Sequence, residues 1–449
     1  MSKKSLPFKD TFAIGLMLFA LFLGAGNMIF PPFLGQEAGA NMWKGILGFL
    51  ITGVGLPLLG VIAIAKTGGD LQLLASRVSL KFGVVFTVIM YLAIGPFFGI
   101  PRTGTVAFEI AISPFLNEGL EGSSLPLALF TIIFFSLTAW LSMNPTKLVD
   151  RIGKILTPAL LIILAILVSK SLISPMGEPL PASKEYATGP VFKGFIEGYL
   201  TMDTIAALVF GIVVITAIKD LGVKSEKSIT KICIQAGFIA AAGLTLVYLA
   251  LAYIGATSPQ AIGMQENGGA ILSASTTYLY GTIGKTILAL AILFACITTS
   301  VGLVSSCAQY FHKLMPNVSY RLIVIVLSIF SMFIANIGLT QLIKVSLPVL
   351  IMIYPIAIVL IFLSFAHSLF NGYSIVYYCS LIPTGVLSVM DGLNVLGIQS
   401  DFLSSLFSKL PLFNEGIGWI VPAIIGAIIG YILAILFRLA GKAAETTKA

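Results

Sequence analysis

The chain is poor in charge. Only 10% of its 449 residues are Asp, Glu, Lys or Arg, while 58% are hydrophobic. A soluble domain carries roughly 25% charged residues, so the composition excludes a large water-exposed fold. Histidine is almost missing. His312 and His367 are the only two, and both fall at predicted helix ends, which leaves no histidine for a mid-membrane proton relay. Cysteine is scarce as well. Cys233, Cys296, Cys307 and Cys379 sit inside apolar runs, without the spacing of a disulfide framework or the CxxC pairs of a metal site, and read as small packing residues. Neither an HExxH cluster nor a Ser/His pair lies in an apolar run, which argues against a membrane-embedded enzyme. A continuous polar lining of the kind a channel needs is also missing.

What the sequence has in abundance is apolar runs of about twenty residues, the length that crosses a hydrocarbon core of roughly 30 Å. Hydropathy places them near 10–35, 43–65, 82–112, 125–143, 148–170, 191–218, 229–256, 281–311, 321–340, 345–367, 373–397 and 416–438. The expectation is an all-α integral membrane protein with twelve spans. Met1–Asp10 is basic, but the long run after it lacks a small-residue cleavage site and reads as the first span rather than a signal peptide. Basic residues cluster in alternate connections. About 18 of the 26 lie on one side, at Lys3, Lys4, Lys9, Lys66, Arg77, Lys81, Lys147, Arg151, Lys154, Lys219, Lys224, Lys227, Lys231, Lys313, Arg321, Arg438, Lys442 and Lys448. The opposite side is acidic at Asn117–Gly122 and Gly177–Tyr186. By the positive-inside rule both termini are cytoplasmic. The net charge of +8 has the same origin and does not point to nucleic acid.

Two spans are interrupted. The first carries Gly24-Ala25-Gly26-Asn27 in mid-membrane, with Pro31 and Pro32 about one turn later. Glycine weakens a helix and proline removes a donor. Close helix–helix contact would account for the glycines but not for Asn27 or the double proline. Freed backbone groups in lipid are tolerated where they line a cavity. With the first ten spans taken as two halves of five, the sixth is the counterpart of the first, and it carries Gly198-Tyr-Leu-Thr201-Met-Asp203-Thr204. Matched broken helices mark the binding site of inverted-repeat transporters. A half-helix N-terminus after Gly26 suits a carboxylate, the carbonyls freed before the break suit a hard cation, and the break in the sixth span offers acceptors for an ammonium.

At these residues the sequence resembles the branched-chain amino acid:cation symporter family of the BrnQ type, over essentially the whole chain. The most specific stretches are Phe22–Gly35, containing Gly24-Ala-Gly-Asn-Met-Ile-Phe-Pro-Pro, and Gly95-Pro-Phe-Phe-Gly-Ile-Pro-Arg-Thr-Gly-Thr105 in the third span. The resemblance implies a leucine-transporter-like core of five plus five inverted helices, with discontinuous first and sixth helices and two further helices. In residues this means 1–175, 191–368 and 372–449. It implies leucine, isoleucine and valine as substrates, uptake through a bacterial inner membrane, and sodium or a proton as the coupling ion with no cofactor. It also places substrate binding at Gly24, Ala25, Gly26 and Asn27. The eighth span reads Ala295-Cys-Ile-Thr298-Thr299-Ser300, similar to the superfamily's shared sodium site. Carried over by position, the hydroxyls of Thr298 and Thr299 and the carbonyls of Ala20, Leu23 and Ala295 would hold the ion. The seventh span, Thr230–Gly255, lacks the Asn of a second sodium site in some relatives, which argues against a second ion.

The remaining candidates keep two readings each. Asp203, with Thr201 beside it, binds the substrate ammonium, ligates the cation or carries a proton, or forms a salt bridge with Arg102, alone or together with one of those roles. Arg102 gates the outer side or pairs with Glu109, seven residues on. Phe97 and Phe98 wall a pocket for a branched side chain or face lipid. Paired Thr hydroxyls also commonly bond the preceding helical turn. Thr257–Ala270 is a lid or an ordinary loop, and Phe402–Phe413 resembles a short interfacial amphipathic helix.

Overall fold

The computed structural model describes residues 6–116, 124–143, 157–398 and 407–446. The expectations for Asn117–Gly122, for Lys3, Lys4, Lys147, Arg151, Lys154 and Lys448, and for the first half of Phe402–Phe413 lie outside the described residues. Of that last segment, the part from Phe407 on is mostly turns.

The first apolar stretch forms two half-helices, α1 (Phe8–Phe22) and α2 (Ala25–Ala38). The second forms α3 (Met42–Leu50) and α4 (Leu56–Lys66), joined by a π-helical turn at Ile51–Gly55. The third forms α5 (Leu80–Leu92) and α6 (Gly99–Ala111), with a π-helical turn at Ala93–Phe97 where Gly95 precedes Pro96 and leaves helical geometry. Next come α7 (Ser124–Ser142) and α8 (Thr157–Ile173). The sixth stretch is again two pieces, α9 (Pro190–Glu197) with a 3₁₀ turn Gly198–Thr201, and α10 (Asp203–Asp220), bent by 40° at the break. Then follow α11 (Glu226–Thr257), α12 (Gly268–Leu314), α13 (Tyr320–Ala335), α14 (Leu339–Ala366), α15 (Ser374–Val395) and α16 (Ile420–Thr446). Helix α12 starts well before the expected residue 281 and turns there instead, at Gly281 with φ 64°. Among the described residues eight helical stretches are long and apolar enough to cross a bilayer, and the bent α9–α10 pair makes a ninth. The outer helices turn apolar side chains outward, as at Ile133, Trp140, Ile428 and Phe437, which is the surface a bilayer solvates.

Backbone contacts fix the two broken helices in equivalent places. Both α1 and α2 pack along α11, while α9 packs on α3 and α10 on α4. The approach is too close for side chains. A Cβ on Gly35 would lie 2.0 Å from the Ala252 carbonyl oxygen, and one on Gly255 would lie 1.9 Å from that of Pro32. Likewise a Cβ on Gly48 would meet the Val191 oxygen at 1.8 Å, and one on Gly194 the Gly45 oxygen at 1.9 Å. Small residues let helices approach and gain dispersion contacts in a solvent that offers no hydrophobic drive. Each broken helix thus lies against the helix that follows the other, the relation an inverted repeat produces.

The segment between α11 and α12 is tied to α2. Gln36 donates to Ser258 Oγ at 3.0 Å and to the Gly263 carbonyl at 3.1 Å, and accepts from the Gln265 amide at 2.8 Å. Both histidines sit at helix ends, with His312 Nδ1 against the Val318 carbonyl and His367 Nδ1 against the Tyr377 hydroxyl.

Candidate functional site

The break between α1 and α2 is local chemistry. The Gly24 amide turns to the Phe22 carbonyl at 2.6 Å and to Asn27 Oδ1 at 3.1 Å. The carbonyl of Ala20 therefore loses the donor four residues on that a continuous helix would give it. Pro31 and Pro32 remove two further donors inside α2, releasing the carbonyls of Asn27 and Met28. Close packing of Gly24 against the eighth stretch adds a second reason for glycine, since a Cβ there would lie 2.9 Å from Thr299 Cγ2.

The second break works differently. Met202 adopts left-handed geometry, φ 63° and ψ 12°, a conformation that costs an L-residue about 1–2 kcal/mol. It holds two ends apart. On one side the carbonyls of Leu200 and Thr201 accept the Arg102 guanidinium, at 2.5 and 3.2 Å. On the other, Asp203 opens α10, its amide donating to Thr201 Oγ1 at 3.3 Å.

A polar triangle ties the two breaks together. Asn27 Nδ2 donates to Asp203 Oδ2 at 2.6 Å and to the Tyr248 hydroxyl, which in turn donates to Asp203 Oδ2 at 2.6 Å. With its Oδ1 on Gly24, Asn27 uses both ends of its amide. All three side chains are buried, so a missing partner would leave a desolvated polar group behind. Sequence reasoning missed Tyr248. It sits in mid-span of α11, which carries two phenols, Tyr248 and Tyr253, among aliphatic neighbours, and these were the available signal.

Asn27, Arg102, Asp203 and Thr299 all line one small cavity of about 30 Å³. Gly24, Ala25, Gly26 and Thr201 line it too, with Phe22, Ile94, Phe210 and Leu303 as its apolar wall. That is room for a water or a bare ion, since one water needs roughly 10–15 Å³. A larger groove of about 840 Å³ at Lys66, Lys227 and Lys231 lies where α4 ends and α11 begins, away from both breaks.

Several expectations are corrected. Arg102 and Asp203 form no ion pair within 4 Å among the described residues; the guanidinium is committed to two carbonyls and the carboxylate to Asn27 and Tyr248. Arg102 does not pair with Glu109 either, which accepts from Asn267 Nδ2 at 3.3 Å. Seven residues turn a helix by slightly less than two full turns, but the Arg102 side chain points inward to the 3₁₀ turn. Phe97 and Phe98 do not line the cavity. The irregular turn at Gly95 swings Phe97 out onto Phe330, with ring centroids 5.2 Å apart and 41% of Phe97 exposed, and the third stretch instead presents Ile94, Gly99 and Thr103. Of the carried-over sodium residues, Thr299 lines the cavity and its buried hydroxyl has no hydrogen-bond partner. The Thr298 hydroxyl donates to the Ala295 carbonyl at 2.8 Å, while Ala20, Leu23, Ala295 and Thr298 are not among the residues that line the cavity.

The sequence model of a family described as branched-chain amino acid transport protein matches residues 7–437. The branched-chain amino acid permease BraB of Bacillus subtilis is 54% identical over 96% of this chain and 97% of its own length. A branched-chain amino acid transport system 2 carrier protein of Pseudomonas aeruginosa is 45% identical over 97% of this chain and 98% of its own. Among solved structures, the nucleobase-cation-symport-1 family transporter Mhp1 in a closed conformation with bromovinylhydantoin superposes with a TM-score of 0.61 at 15% identity, covering 96% of this chain and 93% of that one. MhsT in complex with L-phenylalanine gives 0.54 at 15% identity, covering 94% and 98%. At such identity these two establish a shared fold.

Proposed function

The chain belongs to the branched-chain amino acid transport protein family, and from that premise we propose that it imports leucine, isoleucine and valine across a bacterial inner membrane by symport with sodium. It is a carrier and not an enzyme. The observation that supports the coupled reading is the convergence of two broken helices, Asp203 and the unpartnered Thr299 hydroxyl on a single small cavity.

Each end of a zwitterion finds a complement there. The free amides at the start of α2 receive the carboxylate, aided by the helix dipole. The Leu200 and Thr201 carbonyls, with Asp203, receive the ammonium. Ile94, Phe210 and Leu303 face the side chain. An apolar wall separates side chains that differ by one methylene by only about 1–3 kcal/mol, so the three branched amino acids share the site. Sodium sits between the α1 end and α12, on Thr299 and Thr298 hydroxyls and the Ala20, Leu23 and Ala295 carbonyls, oxygen ligands suited to a hard cation. The cavity has no room for an amino acid in this closed conformation, so entry requires the breaks to open, as alternating access demands.

A proton on Asp203 is the second reading. It is favoured by the burial of that carboxylate, 2% exposed and without an ion pair within 4 Å among the described residues. Reconstituted carrier taking up labelled leucine under a sodium gradient or a pH gradient separates the two. Sodium-driven accumulation supports the first, acid-driven accumulation the second, and leucine exchange indifferent to both refutes symport. The twelve spans with cytoplasmic termini are part of the same proposal, and a reporter fused after Lys231 that appeared outside the cell would refute that orientation.

A further inference from the structure

We propose that Arg102 is a tethered cation that occupies the substrate's ammonium position on the Leu200 and Thr201 carbonyls in the substrate-free carrier and is displaced when substrate binds. The inference rests on the reading that these carbonyls take the ammonium. Three observations carry it. Arg102 is only 4% exposed and makes no ion pair within 4 Å among the described residues. Its two hydrogen bonds go to successive carbonyls that the Met202 break has released. Finally, the guanidinium is wedged between the breaks, 5.3 Å above the Phe30 ring and with Nη2 3.0 Å from where a Gly26 Cβ would stand.

Carbonyls freed from a helix need a donor whenever water is kept from them. An amino acid supplies one with its ammonium, but once released it leaves the acceptors bare. A guanidinium presents the same chemistry, cationic N–H groups, in a planar fork that spans two acceptors. It also balances the charge of Asp203, so the substrate-free site closes neutral. Arg102 is carried just after the irregular Ala93–Phe97 turn, where Gly95 leaves helical geometry. Substrate and Arg102 therefore exclude each other, and the arginine is what lets the unloaded carrier reorient.

The test separates exchange from net transport. Wild type, Arg102→Gln and Arg102→Lys are purified and reconstituted, and leucine binding, leucine–leucine exchange and gradient-driven net uptake are measured. Removing a competitor raises the fraction of binding-competent sites, so Arg102→Gln is expected to bind leucine about threefold to tenfold more tightly. Net uptake should fall at least about tenfold further than leucine–leucine exchange does. Arg102→Lys should bind more tightly than wild type, because a single ammonium holds two carbonyls less well, and should regain part of the net uptake. Leucine binding weakened in either variant, with exchange and net uptake lost in parallel, would overturn the proposal and assign Arg102 to the substrate carboxylate. Should Arg102→Gln not fold, the affinity of Arg102→Lys decides by the same criterion. Wild type that fails to bind leucine would instead sink the substrate reading underneath.

Discussion

The two breaks lie in corresponding helices yet are made by different means. Between α1 and α2 the backbone of Gly24 is extended, φ −103° and ψ −165°, a conformation open to any residue, and the glycine is needed for space against Thr299. Between α9 and α10 the bend rests on a strained Met202. Their surroundings differ as well. The first break faces an unpartnered hydroxyl and carbonyls without donors, which is what a small cation requires. The second faces a guanidinium and a carboxylate, groups that the proposed mechanism has a zwitterion displace and join. Pseudo-symmetry supplied two places for a break, and in that proposal the side chains around each give them separate tasks.

Asp203 is the point where the two tasks meet, so its loss should have the largest effect. Asp203→Asn keeps one carbonyl oxygen for Asn27 and Tyr248 but removes the negative charge that the ammonium-binding and proton-carrying roles both require, and with it the stronger charge-assisted hydrogen bonds. Leucine uptake is expected to fall by about a hundredfold or more, with protein levels at the membrane unchanged. Full uptake with the wild-type pH profile would remove Asp203 from the mechanism. Next comes Thr299→Ala, expected to raise the sodium concentration for half-maximal uptake by about tenfold, the equivalent of 1.4 kcal/mol. Thr298→Ala should do less, because its hydroxyl is already committed to Ala295. Equal effects of the two would break the distinction drawn between them.

A third, smaller effect tests why Gly24 is glycine. Gly24→Ala overpacks against Thr299 Cγ2, at a typical cost of about 1–3 kcal/mol. Thr299→Ser keeps the hydroxyl and deletes the methyl. The double variant Gly24→Ala, Thr299→Ser should therefore recover much of the sodium-driven uptake lost in Gly24→Ala alone. Additive losses would mean that the backbone, not the contact, needs the glycine.

Hydropathy made the helices and both breaks legible, because glycine, proline and a carboxylate inside twenty-residue apolar runs have few other uses. The orientation of α6 was not legible. Phe97 and Phe98 are apolar residues in a span, and only the irregular turn at Gly95 and Pro96 decides that Phe97 faces Phe330 and Ile94 faces the cavity. Tyr248 stayed hidden because a phenol in a long helix carries no local sign of the Asp203 that meets it from another helix. Arg102 was visible as a buried cation, yet its partners are main-chain carbonyls, and backbone acceptors leave no residue type to read.

The smallest effect concerns strain at the second break. Leucine and isoleucine have the same atoms and differ in where they branch. At Met202 both fill a site that is 1% exposed, so burial favours neither. Left-handed geometry does discriminate, since a β-branched side chain crowds its own backbone there. Met202→Leu should therefore melt within a few degrees of wild type in detergent, as Met-to-Leu swaps cost less than about 1.5 kcal/mol. Met202→Ile should be less stable than Met202→Leu by about 1 kcal/mol, the scale of left-handed strain. If the two melted together, the sixth span would owe its bend to packing around the break rather than to Met202, and the contrast with the glycine-made break in the first span would vanish.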